Sequence, residues 1–475
     1  MSMAIRDFLE LPYEQLEELN LGFKQQRKDR VPMDTIREER LKFLADNKGI
    51  KAVTICFADL EGRLHLLDYD KKFLLKSYDN LTFDGSSIRG FSVLSESDLR
   101  LGVDWSAFYL LPSDVFGPGK VMVFGEVLER SGEPYHADLR GLLKRYAKEV
   151  YEKYGYTMNV ANEIEGFLFK GLHAEQEYAK TGKFEFLSEG GYYHTLPGDG
   201  IRTFIDAVAE AQRAMGFENE KDHPEVAPSQ FEINYGYSEA TIGADQIMLY
   251  KLTARQVARN MGLTASFLPK PVTGVNGSGM HTNMSVSDKD GKNLFYDANG
   301  EHGISEMAHD AIKRILNSAL DICLVLNASV NAYRRLDPNY EAPNQIKSSP
   351  VDRGSMVRIP FGNHRSARIE VRSVGPDCNP YMAIYTLFKT ALEGPLPTGR
   401  LNPNRILPDN IYDAINFFTR SARVKEMLGA EVQSKYAELK LEAAHRSPRL
   451  LGDLIKVSEI QYHHEVYNQQ LWKSF

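Results

Sequence analysis

At 162–169 the chain reads NEIEGFLF, an apolar run that carries two carboxylates. Ile164, Phe167, Leu168 and Phe169 favour the pleated conformation, and the run is too short for a typical helix, so a buried strand is predicted. Side chains alternate faces along a strand, which points Glu163 and Glu165 the same way. Two carboxylates on one face beside an apolar run repel each other and lose hydration. A hard divalent cation is the simplest compensation; the alternative is an edge strand whose charged face meets water.

The same patterns organise the rest of the chain. Leu11, Leu16, Leu19 and Phe23 recur at helical spacing between charged residues, which predicts a helix in an extension, residues 1–34, docked on its own domain. A second helix from Asp34 to Asp46 leads into a strand, Ile50 to Phe57, and Glu61-Gly62 turns it into another, Arg63 to Tyr69. Strands near 107–111 and 120–126 complete a small sheet domain over 35–134, and Asp138 is placed to cap the first helix of a larger domain, 135–475. From Asp409 the pattern is mostly helical and ends on an aromatic tail, 471–475, of the kind more often buried than left in water.

Composition narrows the class. The chain has 475 residues, 43% hydrophobic and 25% charged, with a net charge of -7, so bulk charge gives no sign of nucleic-acid or membrane binding. Cys56, Cys323 and Cys378 lie far apart and form no CxxC pair, which suits a reduced, cytoplasmic setting and suggests neither a disulfide framework nor a zinc site. The charged first twenty residues are not a signal peptide, and the apolar run near 315–330 is interrupted by Asp321.

Further polar constellations then matter. HPEVAPSQFEI at 223–233 supplies Glu225 and Glu232, with Pro224 and Pro228 forbidding a helix between them. Glycines at 277 and 279 approach His281, and His281, Asn283 and Ser285 share a strand face. Arg368, Glu370 and Arg372 alternate with apolar residues, and Arg335, Arg353 and Arg358 precede them. Many arginines in an acidic chain point to anionic ligands or to surface ion pairs. FDGSSIRGF at 83–91 is a glycine-flanked loop that brings Asp84 and Ser87 toward a ligand or simply caps a turn.

These segments, with PNYEAP at 338–343 and RIEVRSVGPDCNPY at 368–381, occur in the order and spacing of a type I glutamine synthetase, which the chain resembles from about residue 35 onward. The resemblance implies an α+β fold: a small N-terminal β-grasp-like domain and a larger C-terminal catalytic domain whose curved antiparallel sheet is flanked by helices. It implies two Mg2+ or Mn2+ ions, one held by Glu165, Glu225 and Glu232 and the other by Glu163, His281 and Glu370. ATP is the implied co-substrate, with Arg353 and Arg358 on the phosphate side and Ser285, Arg353 and Arg368 at the nucleotide. Asn276, Gly277, Arg335 and Arg372 resemble the glutamate site. Asp84, Tyr192 and Glu341 resemble the ammonium pocket, with Ser87 beside Asp84 and Glu341 on a closing flap.

The implied reaction joins glutamate and ammonia through γ-glutamyl phosphate, in a dodecamer of two hexameric rings where Asp84 and Ser87 serve a neighbouring subunit. A γ-glutamyl-amine ligase and a non-catalytic relative are the alternatives. The chain departs from the α-type pattern at Pro224 and Phe231, at Val93, where an arginine tied to glutamine feedback would fall, and at 189–194, EGGYYH against a usual KGGYFP. The flanks of Tyr412 match an adenylylation site poorly.

Overall fold

The computed structural model describes residues 8–194, 198–336, 342–399, 401–402 and 404–445. Prolines at 12 and 32, which cannot donate a helical hydrogen bond, open two helices, Tyr13–Lys28 and Met33–Asp46. The buried stripe of the first is Leu16, Asn20 and Lys24, so two polar residues lie on the face that apolar spacing alone left to leucines. Each is satisfied where it lands. Asn20 donates to the carbonyls of Leu110 and Ala214 and accepts the Leu110 N–H, and Lys24 reaches Glu218 at 2.8 Å.

A first sheet follows, of strands β1 (Ala52–Ala58), β2 (Leu64–Asp70), β3 (Leu81–Asp84), β4 (Asp98–Leu110) and β5 (Val121–Leu128). Its order is β2-β1-β5-β4-β3, antiparallel except where β1 meets β5. Gly62 closes the β1–β2 turn at φ +88°, and a Cβ there would fall 2.7 Å from the Asn379 Cα. Only glycine lets the turn approach the larger domain so closely. Asn379 uses the approach to donate to the carbonyls of Asp59 and Leu60.

The larger sheet contains β6 (Thr157–Lys170), β7 (Asn219–Pro224), β8 (Gln230–Tyr235), β9 (Ser238–Glu239), β10 (Leu263–Ser266), β11 (Met280–Ser287), β12 (Gln345–Ser349), β13 (Ser355–Arg358) and β14 (Ile369–Val371). Its main path is β12-β13-β14-β11-β6-β8-β7, with β9 and β10 also pairing β6. Among the described residues only β12 and β13 run parallel, which makes the sheet mixed. The strand bearing Glu163 and Glu165 is therefore central rather than an edge, and its apolar face packs on the helix Ala240–Asn260.

Helices and ion pairs join the two sheets. Arg140, at the start of the helix Leu139–Tyr154, is 1% exposed. It pairs with Asp104 of β4 at 2.9 Å and with Asp245 of the helix Ala240–Asn260 at 2.8 Å. Arg27 of the first helix adds a contact to Asp245 at 2.9 Å, and Lys144 pairs with Asp104 and Glu126. Asp138 stands before the helix Leu139–Tyr154, and its carboxylate accepts the Val127 N–H of β5 at 3.0 Å. The last described helix, Ala430–His445, returns to the small sheet through Lys440 to Glu61 and Glu442 to Arg89.

Among the described residues no helix is long and apolar enough to cross a membrane. The cysteines are buried and free.

Candidate active site

The site grows from sheet register. Glu165 of β6 stands opposite Glu232 of β8, and Glu163 opposite His281 of β11. Asn283 of β11 stands opposite Glu370 of β14, which in turn faces Arg358 of β13. Period-two alternation sends all of these side chains to one face, forming a polar row across five strands whose other face is core.

Among the described residues, two groups of side chains that could hold a metal ion form along that row. In Glu163, His281 and Glu370, one ligand atom from each residue lies within 4.8 Å of the others. His281 Nδ1 is 3.3 Å from Glu163 and 3.8 Å from Glu370. The second group, equally close, is His223, Glu225 and Glu232, brought together because His223 of β7 pairs directly with Glu232 of β8. Glu165 lies between the groups. One of its oxygens accepts the Gly279 N–H at 2.8 Å and the other is 3.9 Å from His281 Nε2. His223 did not figure among the expected ligands. Its position at the head of the 223–233 motif was the available signal, and its buried Nε2 has no hydrogen-bond partner.

Electrostatics marks the second group as short of positive charge. Burial, then the neighbouring charges of Glu165 and Glu232, push the Glu225 carboxyl up to about 9. Burial, then Glu165 and Glu163, push Glu232 up to about 7. In the first group burial also raises Glu163, but the hydrogen bond and charge of His281 outweigh it and hold the carboxyl at about 2. Carboxylates crowded this way, with an orphaned imidazole nitrogen beside them, form a donor set of oxygens and one nitrogen that suits Mg2+ or Mn2+.

Arginines border the row. Glu370, fully buried, accepts Arg358 Nη1 at 3.0 Å and Arg372 Nη1 at 2.7 Å. Arg368 Nε donates to Asn283 Oδ1 at 2.8 Å, and Asn283 donates to Glu163 at 3.2 Å. Arg335 is buried against the glycine turn, with its guanidinium on the carbonyls of Arg372, Ser373 and Val374. Burial pulls its pKa down to about 10, so it stays cationic. Arg353 is exposed, and Ser285 is half-buried farther along β11.

Other expected residues lie at the margin of the row or away from it. Tyr192 stacks on Tyr193 with ring centroids 3.8 Å apart, and both rings meet His223 edge-on. Asn276 and Gly277 lie in the half-buried turn before β11. Asp84 and Ser87 are exposed on the small sheet, where Asp84 accepts both Ser86 and Ser87 hydroxyls. Among the described residues no hydrogen bond or ion pair joins them to the carboxylate row. Glu341 and the tail 471–475 lie outside the described residues.

Comparison with known proteins bears on what this row belongs to. Residues 49–130 match the profile of the glutamine synthetase beta-Grasp domain, and residues 136–447 that of the glutamine synthetase catalytic domain. A glutamine synthetase of Clostridium saccharobutylicum is 36% identical over 422 residues, covering 84% of this chain and 93% of the relative. One from Methanosarcina mazei is 36% identical, covering 85% and 92%. One from Staphylococcus aureus is 35% identical, covering 86% and 95%. A solved structure of apo GmaS superposes with a TM-score of 0.74 at 25% identity, covering 87% of this chain and 98% of that one. With both domain profiles matched in order and such identity along most of its length, the chain belongs to the glutamine synthetase family.

Proposed function

We propose that the protein ligates L-glutamate and ammonia at the expense of ATP, through γ-glutamyl phosphate, releasing glutamine, ADP and phosphate. The observation that carries this reading is the polar row itself: crowded carboxylates and two imidazoles in the middle, arginines along its β13–β14 side. A carboxylate is a poor electrophile, so the γ-carboxylate must first take the γ-phosphoryl group. Arg353, Arg358 and Arg368 are assigned to the anionic phosphates, because guanidinium charge stabilises the oxygens that gain charge during transfer. Arg335 and Arg372 are assigned to glutamate, along with the Asn276–Gly277 turn, since a planar fork matches a carboxylate.

Glu163, His281 and Glu370 would hold one divalent ion, and Glu225 and Glu232, with Glu165 and His223 beside them, a second; bound there, the ions supply charge neutralisation for the transferring group. Deprotonation of ammonium is assigned to Asp84, working with Tyr192 and Glu341. Asp84 is exposed, and Val93 and Leu94 on the same loop region are 57% and 88% exposed, which supports a second copy of the chain covering this loop.

The test is phosphate release by the purified, Mg2+-loaded protein. Release that requires glutamate and ammonium together supports the reading; silence in a folded, metal-loaded sample defeats it. Since the fold also superposes on GmaS, turnover is to be compared with ammonium, methylamine and putrescine. A preference for either organic amine would reassign the protein as a γ-glutamyl-amine ligase.

A further inference from the structure

Gln230 is the first residue of β8, and its side chain is almost fully buried, with its residue 1% exposed. Its Oε1 accepts the Ala227 N–H at 3.1 Å. Its Nε2 faces the Gly277 carbonyl at 3.0 Å, Ser278 Oγ at 3.1 Å and Glu165 Oε2 at 3.4 Å. The assignment of the amide ends is fixed by these partners, since only nitrogen can donate to a carbonyl and a carboxylate. One carboxamide thus joins the Glu225 loop, strand β6 and the turn before β11.

The turn is gripped from its other side as well. A Cβ on Gly277 would fall 2.5 Å from the Pro269 carbonyl and 3.0 Å from Arg335 Cγ, and one on Gly279 would fall 2.6 Å from Arg335 Nη2. The turn has no room to move toward Arg335, and Gln230 stops it moving away. Glu165 Oε2 is held by the Gly279 N–H at 2.8 Å as well, so its weaker contact to Gln230 is secondary.

We propose that Gln230 is a positioning residue: it sets the separation between the Asn276–Gly277 turn and Glu165, and through it the affinity for glutamate. The inference rests on the ligase reading, in which that turn holds glutamate. Gln230→Ala removes the brace, and Gln230→Met keeps most of its volume but offers no donor to the Gly277 carbonyl. Both variants should raise KM for glutamate about tenfold, as expected for one lost buried hydrogen bond, with KM for ATP changed less than about twofold. Mn2+ binding, followed by the loss of free-ion signal in electron paramagnetic resonance, should shift less than about threefold in Gln230→Ala, because Glu165 keeps its Gly279 contact.

A merely structural role would raise both KM values together, or lower kcat alone, and either result overturns the proposal. Unchanged KM for glutamate in both variants also overturns it. If Gln230→Ala precipitates, Gln230→Met and the milder Ser278→Ala carry the same comparison. A wild-type protein with no glutamate-dependent phosphate release defeats the ligase reading, whereas an active wild type with unaltered variants defeats this inference alone.

Discussion

Glu225 and Glu232 share a buried corner with His223, and their carboxyls rest at about 9 and about 7 because burial and neighbouring negative charge disfavour ionisation. Between the ordinary carboxyl range and about pH 9, the folded metal-free protein holds protons that the unfolded chain has lost. The unfolded state then binds fewer protons, so stability falls as pH rises through that window. Thermal melts of chelator-treated protein from pH 5 to pH 9 should show this decline, and added Mg2+ should flatten it; a melting temperature that rises with pH would contradict it. Metal binding at pH 7.5 should also release about one proton, countable by calorimetry in buffers of different ionisation heat. Zero release would mean that the corner is already ionised. For catalysis, His281→Ala should lower kcat by at least about 100-fold, since it removes the imidazole between Glu163 and Glu370, with phosphate release as the readout. At this scale the sequence revealed much: Glu163 with Glu165, and His281 with Asn283, follow from period two alone. His223 was missed although it heads the same 223–233 motif as Glu232, because its approach to Glu232 rests on the register of β7 against β8, which residue types alone do not set.

Elements decide how far those residues can be trusted to stay in place. The turn before β11 is built without side chains at Gly277 and Gly279 because Pro269, Arg335 and His281 occupy the space. Gly279→Ala would put a methyl group 2.9 Å from His281 Nε2 and 2.6 Å from Arg335 Nη2. It should cost about 1–3 kcal/mol by overpacking and reduce activity more than about tenfold, measured by chemical denaturation and phosphate release. A fully active, equally stable Gly279→Ala protein would show that the turn yields freely. Strand β6 was readable from its β-branched and aromatic residues, but its central place was not, since an edge strand with a solvated charged face carries the same pattern; only the pairing with β8 and β11 decides it. The burial of Asn20 and Lys24 was unreadable for a similar reason. Their partners, Leu110, Ala214 and Glu218, lie far along the chain, and helical spacing of apolar residues says nothing about distant hydrogen bonds.

Across the whole molecule, the buried ion network balances Arg27, Arg140 and Lys144 against Asp104, Asp245 and Glu126. Its members come from the first helix, the small sheet and the helices of the larger domain. Arg27→Met would leave Asp245, which is fully buried, with one cation fewer. Because Arg140 and the Tyr381 hydroxyl remain on Asp245, the expected loss is roughly 1.5–3 kcal/mol, that of one hydrogen bond to a charged group, seen as an earlier midpoint in urea. A midpoint equal to wild type would show that Arg140 and the Tyr381 hydroxyl suffice for Asp245. The network also bears on the order of events during synthesis. Arg27 precedes its partner Asp245 by 218 residues, and Lys24 precedes Glu218 by 194. The helix Tyr13–Lys28 therefore has to wait for much of the larger domain before its polar face has anywhere to go, and its docking belongs among the late steps of folding.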